Sequence, residues 1–520
     1  MSFLVICQPS LLSNFKKKKD FAGGIYIRQP DQDFLFPITD IPKNIDTIYF
    51  HYDEGNFAYV MNNSKYLKHL RVLPFFDGDS KITIGLSVLL EEGMNLLNEG
   101  NVNLASTLLL RSKALAELSR DSDIQKQTKD AYLEKLPKKI ISIGKDFLSQ
   151  NLLSQAAYFF RQALLIVPSN NEVDQLLKET NSKIQETLVN ETDLNHRDLS
   201  DGEPVTLSNL RNITKEEFEI AKTTCKIFGE MVKERNSFST EIKLDKKIAL
   251  PSNYWSGKIN NILLSPDYDI INHLRLHSYV FTGMKLRDHI NTSPSPLPEK
   301  LVNQFKKLTS GLPHELIASP PAIMGEIGWR WEKGILNPDV VAYQERLALI
   351  NKSGLYKELM NKEQPIILEI GSGYGALAYF LKEAIPHARM ILCDLPESLA
   401  IAAVYLKIAF PNKTHFIYEG IEVSDDNKFD FTYIPNLYFN QKSIKNIDLA
   451  INTLSFAEMT IEQVQNYVNS IKASIGAEGY MFEQNQDKRV IVSDIISNCG
   501  LKQIFTERGQ QGVANVWKNP

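Results

Sequence analysis

Three glycines bracketed by two acids are the part of this chain best suited to hold a small charged ligand. Glu369 stands two residues before Gly371, Gly373 and Gly375 follow at alternate positions, and Asp394 lies twenty-one residues beyond Gly373 (394 minus 373). Glycines spaced this way let the backbone turn sharply and come close to a ligand. Gly371, Gly373 and Ala376 also satisfy the dinucleotide pattern G-x-G-x-x-G/A, which taken alone is weak. Charge separates the two readings. A pyrophosphate held at the mouth of the following helix would be repelled by an acid at Glu369. S-adenosyl-L-methionine brings a sulfonium and an ammonium instead, and an acid there attracts both. Asp394 stands where an acid grips ribose hydroxyls. The residues therefore predict an S-adenosyl-L-methionine site, with a nicotinamide site as the second reading.

A methyl acceptor needs its own chemistry. Transfer to a hydroxyl is an in-line displacement helped mainly by alignment and exclusion of water, with a base or a metal beside the poorly nucleophilic oxygen. The segment Asn446–Asn452 is expected to face the transferred methyl as the loop after the fourth strand, with Asn452 near the cofactor. Glu458 is the nearest acid able to accept a proton; a carboxylate that merely stabilises a helix start is the equal alternative. His273 and His277, spaced i, i+4, would share one face if their segment is helical, the spacing of a metal pair or of a base with its helper. No third ligand accompanies them, so no metal site is predicted. Trp329, Trp331 and Tyr343 form an aromatic group suited to the apolar face of a sugar or to simple burial.

The elements that must position these residues can be read from periodicity. Pro365–Ile370 reads as a buried strand, Ala376–Lys382 as the helix after the glycine turn, Ala388–Asp394 as the next strand and Glu397–Phe410 as its helix. This βαβα order belongs to a Rossmann-like, doubly wound parallel sheet, whose ligands sit outside the carboxyl ends of the strands. Two segments compete for the third strand, Thr414–Tyr418 and Phe429–Ile434; if it is the second, Pro435 and Asn436 flank the adenine.

Leu368-Glu369-Ile370-Gly371-Ser372-Gly373-Tyr374-Gly375-Ala376-Leu377-Ala378, Cys393-Asp394-Leu395-Pro396-Glu397-Ser398-Leu399 and Ile451-Asn452-Thr453-Leu454-Ser455-Phe456-Ala457-Glu458-Met459 together resemble a bacterial family of sugar O-methyltransferases. Upstream, Gly325-Glu326-Ile327-Gly328-Trp329, Gly334, Asn337, Asp339 and Tyr343-Gln344-Glu345-Arg346 resemble the region preceding the glycine turn in that family. The resemblance covers about residues 250 to 510. It implies that Glu369, Gly371, Gly373 and Gly375 line the methionine end of the cofactor and that Asp394, with Leu395 beside it, meets the ribose. It further implies a sugar, nucleotide-sugar or glycan acceptor, in surface polysaccharide modification. No asparagine-proline-proline-tyrosine signature of amine methylation follows the fourth strand, where the sequence is Asn452-Thr453-Leu454-Ser455, and this favours oxygen over nitrogen.

At 520 residues the chain is too long for one core. Residues 1–80 read as a β-rich or α/β module and 81–190 as helical. Residues 191–213 read as a polar linker, 214–345 as a helical substrate-side region and 346–520 as the Rossmann-like domain. Within the helical part, Gly144, Phe147, Ala156, Phe160, Ala163 and Pro168 resemble a tetratricopeptide repeat, which implies a surface for a protein partner; Gly93, Leu96, Ala105 and Leu109 make a fainter copy. The copies start 51 residues apart (144 minus 93), which predicts an inserted or lengthened helix between them. Thr214 followed by Glu217 is a capping box opening the next helix. A net charge of −4, with Lys16–Lys19 as the only dense basic run, gives no footprint for nucleic acid. The four scattered cysteines form no Cys-x-x-Cys pair and no disulfide framework, which fits a reducing cytoplasm. No window has the apolar length of a transmembrane segment. The rival readings are a methyltransferase of a protein or small metabolite, and a non-catalytic interaction protein with a relic fold.

Overall fold

The structure, a computed structural model, describes residues 2–6, 25–28, 45–51, 71–77, 82–84, 86–100, 102–119, 121–187, 199–237, 251, 266–278, 296–332, 334–420, 429–440, 444–476, 478–486 and 491–520. The Lys16–Lys19 run, Cys7, Tyr254-Trp255, Ser293–Ser295 and the side chain of His277 lie outside the described residues. The chain forms two compact units, Met1–Ser182 and Lys183–Pro520.

The first unit opens with a sheet of order β2-β1-β3-β4-β5, made of β1 (Ser2–Ile6), β2 (Ile25–Arg28), β3 (Ile45–His51), β4 (Arg71–Asp77) and β5 (Ile82–Ile84). All of its pairings are parallel except β4 with β5. Helices follow: α1 (Ser87–Asn98), α2 (Val102–Ser119), α3 (Ser122–Asp130), α4 (Leu136–Ser149), α5 (Leu153–Ile166) and α6 (Asn171–Thr187). The glycines singled out by spacing are close-approach points. A Cβ on Gly93 would stand 2.9 Å from Leu109 of α2, and one on Gly144 would stand 2.7 Å from the Phe160 ring of α5. Ala105 and Ala156 are fully buried, and Phe147 stacks on Phe159 at 5.5 Å. Small residues thus let α1 meet α2, and α4 meet α5, at short range. Between these two hairpins lie α3 and a π-helical turn, Ala131–Lys135.

The second unit is built on an eight-stranded sheet of order β11-β12-β10-β9-β13-β14-β16-β15. Its strands are β9 (Ile366–Ile370), β10 (Arg389–Asp394), β11 (His415–Ile417), β12 (Phe431–Pro435), β13 (Leu449–Thr453), β14 (Tyr480–Asn485), β15 (Lys502–Arg508) and β16 (Val513–Lys518). Pairing is parallel from β11 to β14 and antiparallel through β16 and β15. Runs such as Ile366-Ile367-Leu368 and Leu449-Ala450-Ile451 are apolar without alternation because helices cover both faces of such a sheet. Helix α13 (Ala376–Ala384) follows β9, α14 (Pro396–Ala409) follows β10, and α15 (Ile461–Ser474) and α16 (Val492–Asn498) come later. The chain moves one way from β9 through β10 to β12 and the other way from β13 to β14. The switch point therefore lies at the carboxyl ends of β9 and β13, where doubly wound sheets bind ligands. Phe431–Pro435 takes the third place beside β10, and His415–Ile417 adds an outer strand.

Before the sheet come α7 (Lys215–Ser237), α8 (Tyr268–Asn272), α9 (Leu274–His277), α10 (Glu299–Thr309), α11 (Pro338–Lys352) and α12 (Leu355–Met360). The capping box is formed: Thr214 N–H donates to Glu217 at 2.7 Å and Glu217 N–H to the Thr214 hydroxyl at 3.2 Å. The helical region also contains a small sheet of β6 (Pro204–Val205), β7 (Gly328–Trp331) and β8 (Gly334–Leu336). Polar and turn-rich as it is, the 199–213 stretch is tied to β7, Gly202 N–H donating to Arg330 and Arg330 N–H to Glu203, both at 2.8 Å. Among the described residues no helix is long and apolar enough to cross a membrane.

Candidate active site

The turn after β9 is a sequence of left-handed glycines, with φ +79° at Gly371, +54° at Gly373 and +88° at Gly375. Two of them are also tightly packed. A Cβ on Gly371 would collide with the Ser455 hydroxyl, and one on Gly375 would press on Leu406 and Ala402 of α14 at 3.1 and 3.3 Å. Gly371 N–H donates to Cys393 at 2.8 Å, which ties the turn to β10. Glu369 is 2% exposed, and its Oε2 has no partner. Burial pushes its carboxyl up to about 8, with Asp394 adding to the rise and Arg346 and the Ala378 N–H working against it. The free site thus holds a mostly protonated acid with unspent hydrogen-bonding capacity. Ser372 Oγ, also buried, has no partner either.

Asp394 is the opposite kind of acid. Its Oδ2 accepts from Gly373 N–H at 3.0 Å and from the Ser398 hydroxyl at 2.9 Å, while Oδ1 accepts from Leu395 N–H at 2.7 Å. Burial raises its carboxyl to about 6 against the pull of those three donors. With three of roughly four lone-pair sites used, one remains for a hydroxyl.

The wall over this turn comes from residues far upstream, and periodicity gave no sign of it. Arg275, fully buried, bonds Glu326 and donates to Asp339 at 3.0 Å, and its guanidinium lies 3.5 Å from the centroid of the Tyr374 ring. Asn337 donates to Glu326 at 2.7 Å and caps α11 by accepting from Val340 N–H. Tyr343 packs edge-on against Tyr374 at 6.0 Å, and the Arg346 guanidinium lies 4.6 Å from the Tyr343 ring centroid. Tyr374, between the second and third glycines of the turn, is thereby clamped between an arginine and a tyrosine. On the side of β10 and β12, Arg235 near the end of α7 makes a buried two-pronged pair with Glu397, at 2.5 and 3.0 Å, and Tyr438 donates to Glu234 at 2.6 Å. Asn436, expected beside the adenine, follows β12 directly and is 4% exposed.

The acceptor-side expectations change in three respects. Asn446–Asn452 is not a loop: Leu449–Thr453 is β13 itself, because its apolar residues pair with both β9 and β14, and the loop begins at Leu454 with φ +66°. Asn452 is fully buried and its amide is spent. Nδ2 donates to Ile370 O at 2.9 Å and to Ser455 at 2.6 Å, while Oδ1 accepts from Phe456 N–H and Asn485. Asn485 continues to Glu483, which also accepts from Asn515. Asn452 therefore positions the ends of β9, β13 and β14. Third, His273 and His277 do not share a continuous helix, since His273 breaks it with φ −118° and ψ 32°. His273 is buried, its ring Nδ1 lies 3.0 Å from Asp269, and its backbone stands 3.1 Å from where a Cβ on Gly325 would be. Glu458 ends the 3-10 turn Ser455–Glu458, which begins one residue after β13, and is partly exposed. Trp329 is core, and Trp331 lies under Lys306 at 5.1 Å. Among the described residues no group of three or more His, Cys, Asp or Glu side chains is arranged to hold a metal.

No protein-family model matches the chain. A 47-residue stretch is 49% identical to a release factor glutamine methyltransferase of Deinococcus radiodurans, and this covers 9% of the chain and 17% of that protein. The chain thus spans about a sixth of that relative's length. Solved structures similar to it include a TehB-like S-adenosylmethionine-dependent methyltransferase from Corynebacterium glutamicum (TM-score 0.25, 14% identity, 34% of this chain and 97% of that one). Another is an S-adenosylmethionine-dependent methyltransferase from Aquifex aeolicus (TM-score 0.23, 18% identity, 32% and 87%). A third is human N-acetylserotonin methyltransferase in complex with S-adenosylmethionine (TM-score 0.23, 14% identity, 34% and 56%).

Proposed function

We propose that this chain is an S-adenosylmethionine-dependent methyltransferase whose acceptor is a hydroxyl of a sugar, nucleotide-sugar or glycan, acting in the cytoplasm in the modification of surface polysaccharide. The observation that carries the cofactor assignment is Glu369, a buried acid with an unpartnered oxygen at the switch point of a doubly wound sheet. A bound cation lets such a group ionise and compensates its charge, whereas a pyrophosphate gives it no compensating charge and repels it once it ionises. Gly371, Gly373 and Gly375 give the close approach, Glu369 and Ser372 supply polar atoms to the methionine end, Asp394 and Leu395 border the ribose, and Pro435 and Asn436 border the adenine.

When bound, S-adenosylmethionine supplies a methyl carbon on a sulfonium. An acceptor oxygen held in line with that methyl would take it as the carbon–sulfur bond broke, and a base of this chain would receive the hydroxyl proton. Glu458 is the base proposed here, since it ends the short turn Ser455–Glu458 that comes after β13 at the switch point. His273, tied to Asp269, holds the 323–326 loop in place. The spent amide of Asn452 supports an oxygen acceptor, because a residue that grips an amine or amide substrate needs free donors and acceptors. The paired helical hairpins of the first unit offer a tetratricopeptide-like surface for a protein partner. Mass spectrometry of surface glycans from a strain lacking the chain tests the acceptor: loss of one methyl from one sugar is expected, and unchanged glycans with an undermethylated protein or metabolite would transfer the assignment to that rival.

A further inference from the structure

The side-chain amide of Gln484, the last residue but one of β14, is fully buried and can lie only one way round. Its Nε2 donates to Glu345 Oε1 at 2.8 Å and lies 3.4 Å from Gly512 O, and both of those atoms are acceptors. Glu345 also accepts from Gln510 N–H at 2.9 Å and from Gln511 N–H at 3.0 Å, and a Cβ on Gly509 would collide with it. An amide turned over would set its oxygen against two acceptors. Gln484 Oε1 therefore faces away from Glu345, and it has no partner among the described residues.

Strand register places this oxygen. Glu369, Ile451 and Phe482 stand side by side on β9, β13 and β14, and Gln484 projects from the same face two residues beyond Phe482. Gln484 is thus two strands from Glu369, roughly 10 Å at ordinary strand spacing, and nearer the carboxyl ends of the strands. Its own backbone oxygen accepts from Leu454 N–H at 2.9 Å, where the segment leading to Glu458 begins. The unspent oxygen belongs to the acceptor half of the switch point and is separate from the glycine turn.

We propose that Gln484 is a specificity-determining residue, its Oε1 taking a hydrogen bond from a hydroxyl of the acceptor other than the one that is methylated. Glu345 is the positioning residue that fixes the direction of the amide. The inference rests on the sugar-hydroxyl reading above, and it requires an acceptor with at least two hydroxyls. An amide oxygen carries no net charge, which suits a hydroxyl rather than an ammonium, and a buried acceptor left unfilled is costly.

The test uses glycan prepared from a strain lacking the chain as the varied substrate, with labelled S-adenosylmethionine as methyl donor. Gln484→Met keeps the bulk of the side chain and removes the oxygen. It is expected to raise KM for the glycan about 10- to 100-fold with kcat little changed, and to leave KM for S-adenosylmethionine within about twofold. Glu345→Gln presents an amide that can donate to Gln484 Oε1, so the Gln484 amide is free to turn over; a smaller rise in the same KM is expected. Wild-type kinetics on the glycan in Gln484→Met, or in Glu345→Gln should Gln484→Met not fold, overturn the inference while leaving the sugar reading intact. So does a loss that falls on S-adenosylmethionine or on kcat instead. Failure of the wild-type chain to methylate the glycan overturns the sugar reading, and the inference with it.

Discussion

Two neighbouring strand ends in the second unit use their polar groups in opposite ways. At the end of β13 and β14, Asn452, Asn485, Glu483, Asn515 and Ser455 bond to one another and to the backbone of β9. At the end of β9, Glu369 Oε2 and Ser372 Oγ are buried without partners. Unpaired buried polar atoms are costly in a folded protein, so finding two of them at a switch point supports the proposal that their partner is a ligand. The closed network holds the sheet, and the open one is held ready.

The largest effect is expected where the two ends touch. Gly371→Ala puts a methyl group against Ser455 at a left-handed position, costing about 1–3 kcal/mol of backbone strain before the clash is counted. A marked drop in Tm together with loss of S-adenosylmethionine binding is the expected outcome; calorimetry and thermal unfolding read it, and normal binding would break the link between the two ends.

Glu369→Gln comes next and separates stability from binding. The folded carboxyl sits near 8 against an ordinary value of 4.5. Between those values the unfolded chain binds fewer protons than the folded one, so the stability of the free protein falls as pH rises through that window. Glu369→Gln should remove this fall, raising Tm relative to wild type at pH 8, while weakening S-adenosylmethionine binding at least about tenfold, as loss of a buried charge contact does. Unfolding curves from pH 5 to 8 check the first and titrations the second.

Asn452→Ala should do the reverse. It leaves the Phe456 N–H and the Asn485 amide without their acceptor, at about 1–3 kcal/mol for a buried group, so Tm should fall while binding by the folded protein changes less than in Glu369→Gln. The smallest change belongs to Ser372→Ala. Because the Ser372 hydroxyl has no partner in the free protein, its removal should leave Tm unchanged or slightly raised, and any loss should show only as weaker cofactor binding.

The open end was legible because its signals are local. Glu369, the glycines and Asp394 fall within a single strand-turn-helix-strand unit, and left-handed glycines at alternate positions say how the chain bends. The pairings that build the walls were not legible, although the resemblance had singled out Glu326, Asn337, Asp339 and Tyr343. Arg275 meets Glu326 from 51 residues away and Arg235 meets Glu397 from 162, and no periodicity encodes such pairings. Helical spacing placed His273 and His277 on one face because it carries no trace of the break at His273, which is set by tertiary contact with the 323–326 loop. In the first unit, the glycine-to-alanine spacing foretold close helix pairs, because crowding at a crossing acts on residue size. The parallel direction of β1 to β4 was hidden, since strand polarity depends on connections rather than on the strands' own residues.

The most direct test of the site is the proton that S-adenosylmethionine must displace. Calorimetric titration near pH 7 in two buffers of different ionisation enthalpy should show wild type releasing close to one proton as Glu369 ionises beside the bound cation, with Glu369→Gln losing that release and NAD giving no comparable binding. Binding with no proton linked to Glu369, or tight binding of NAD in place of S-adenosylmethionine, would contradict the site described here.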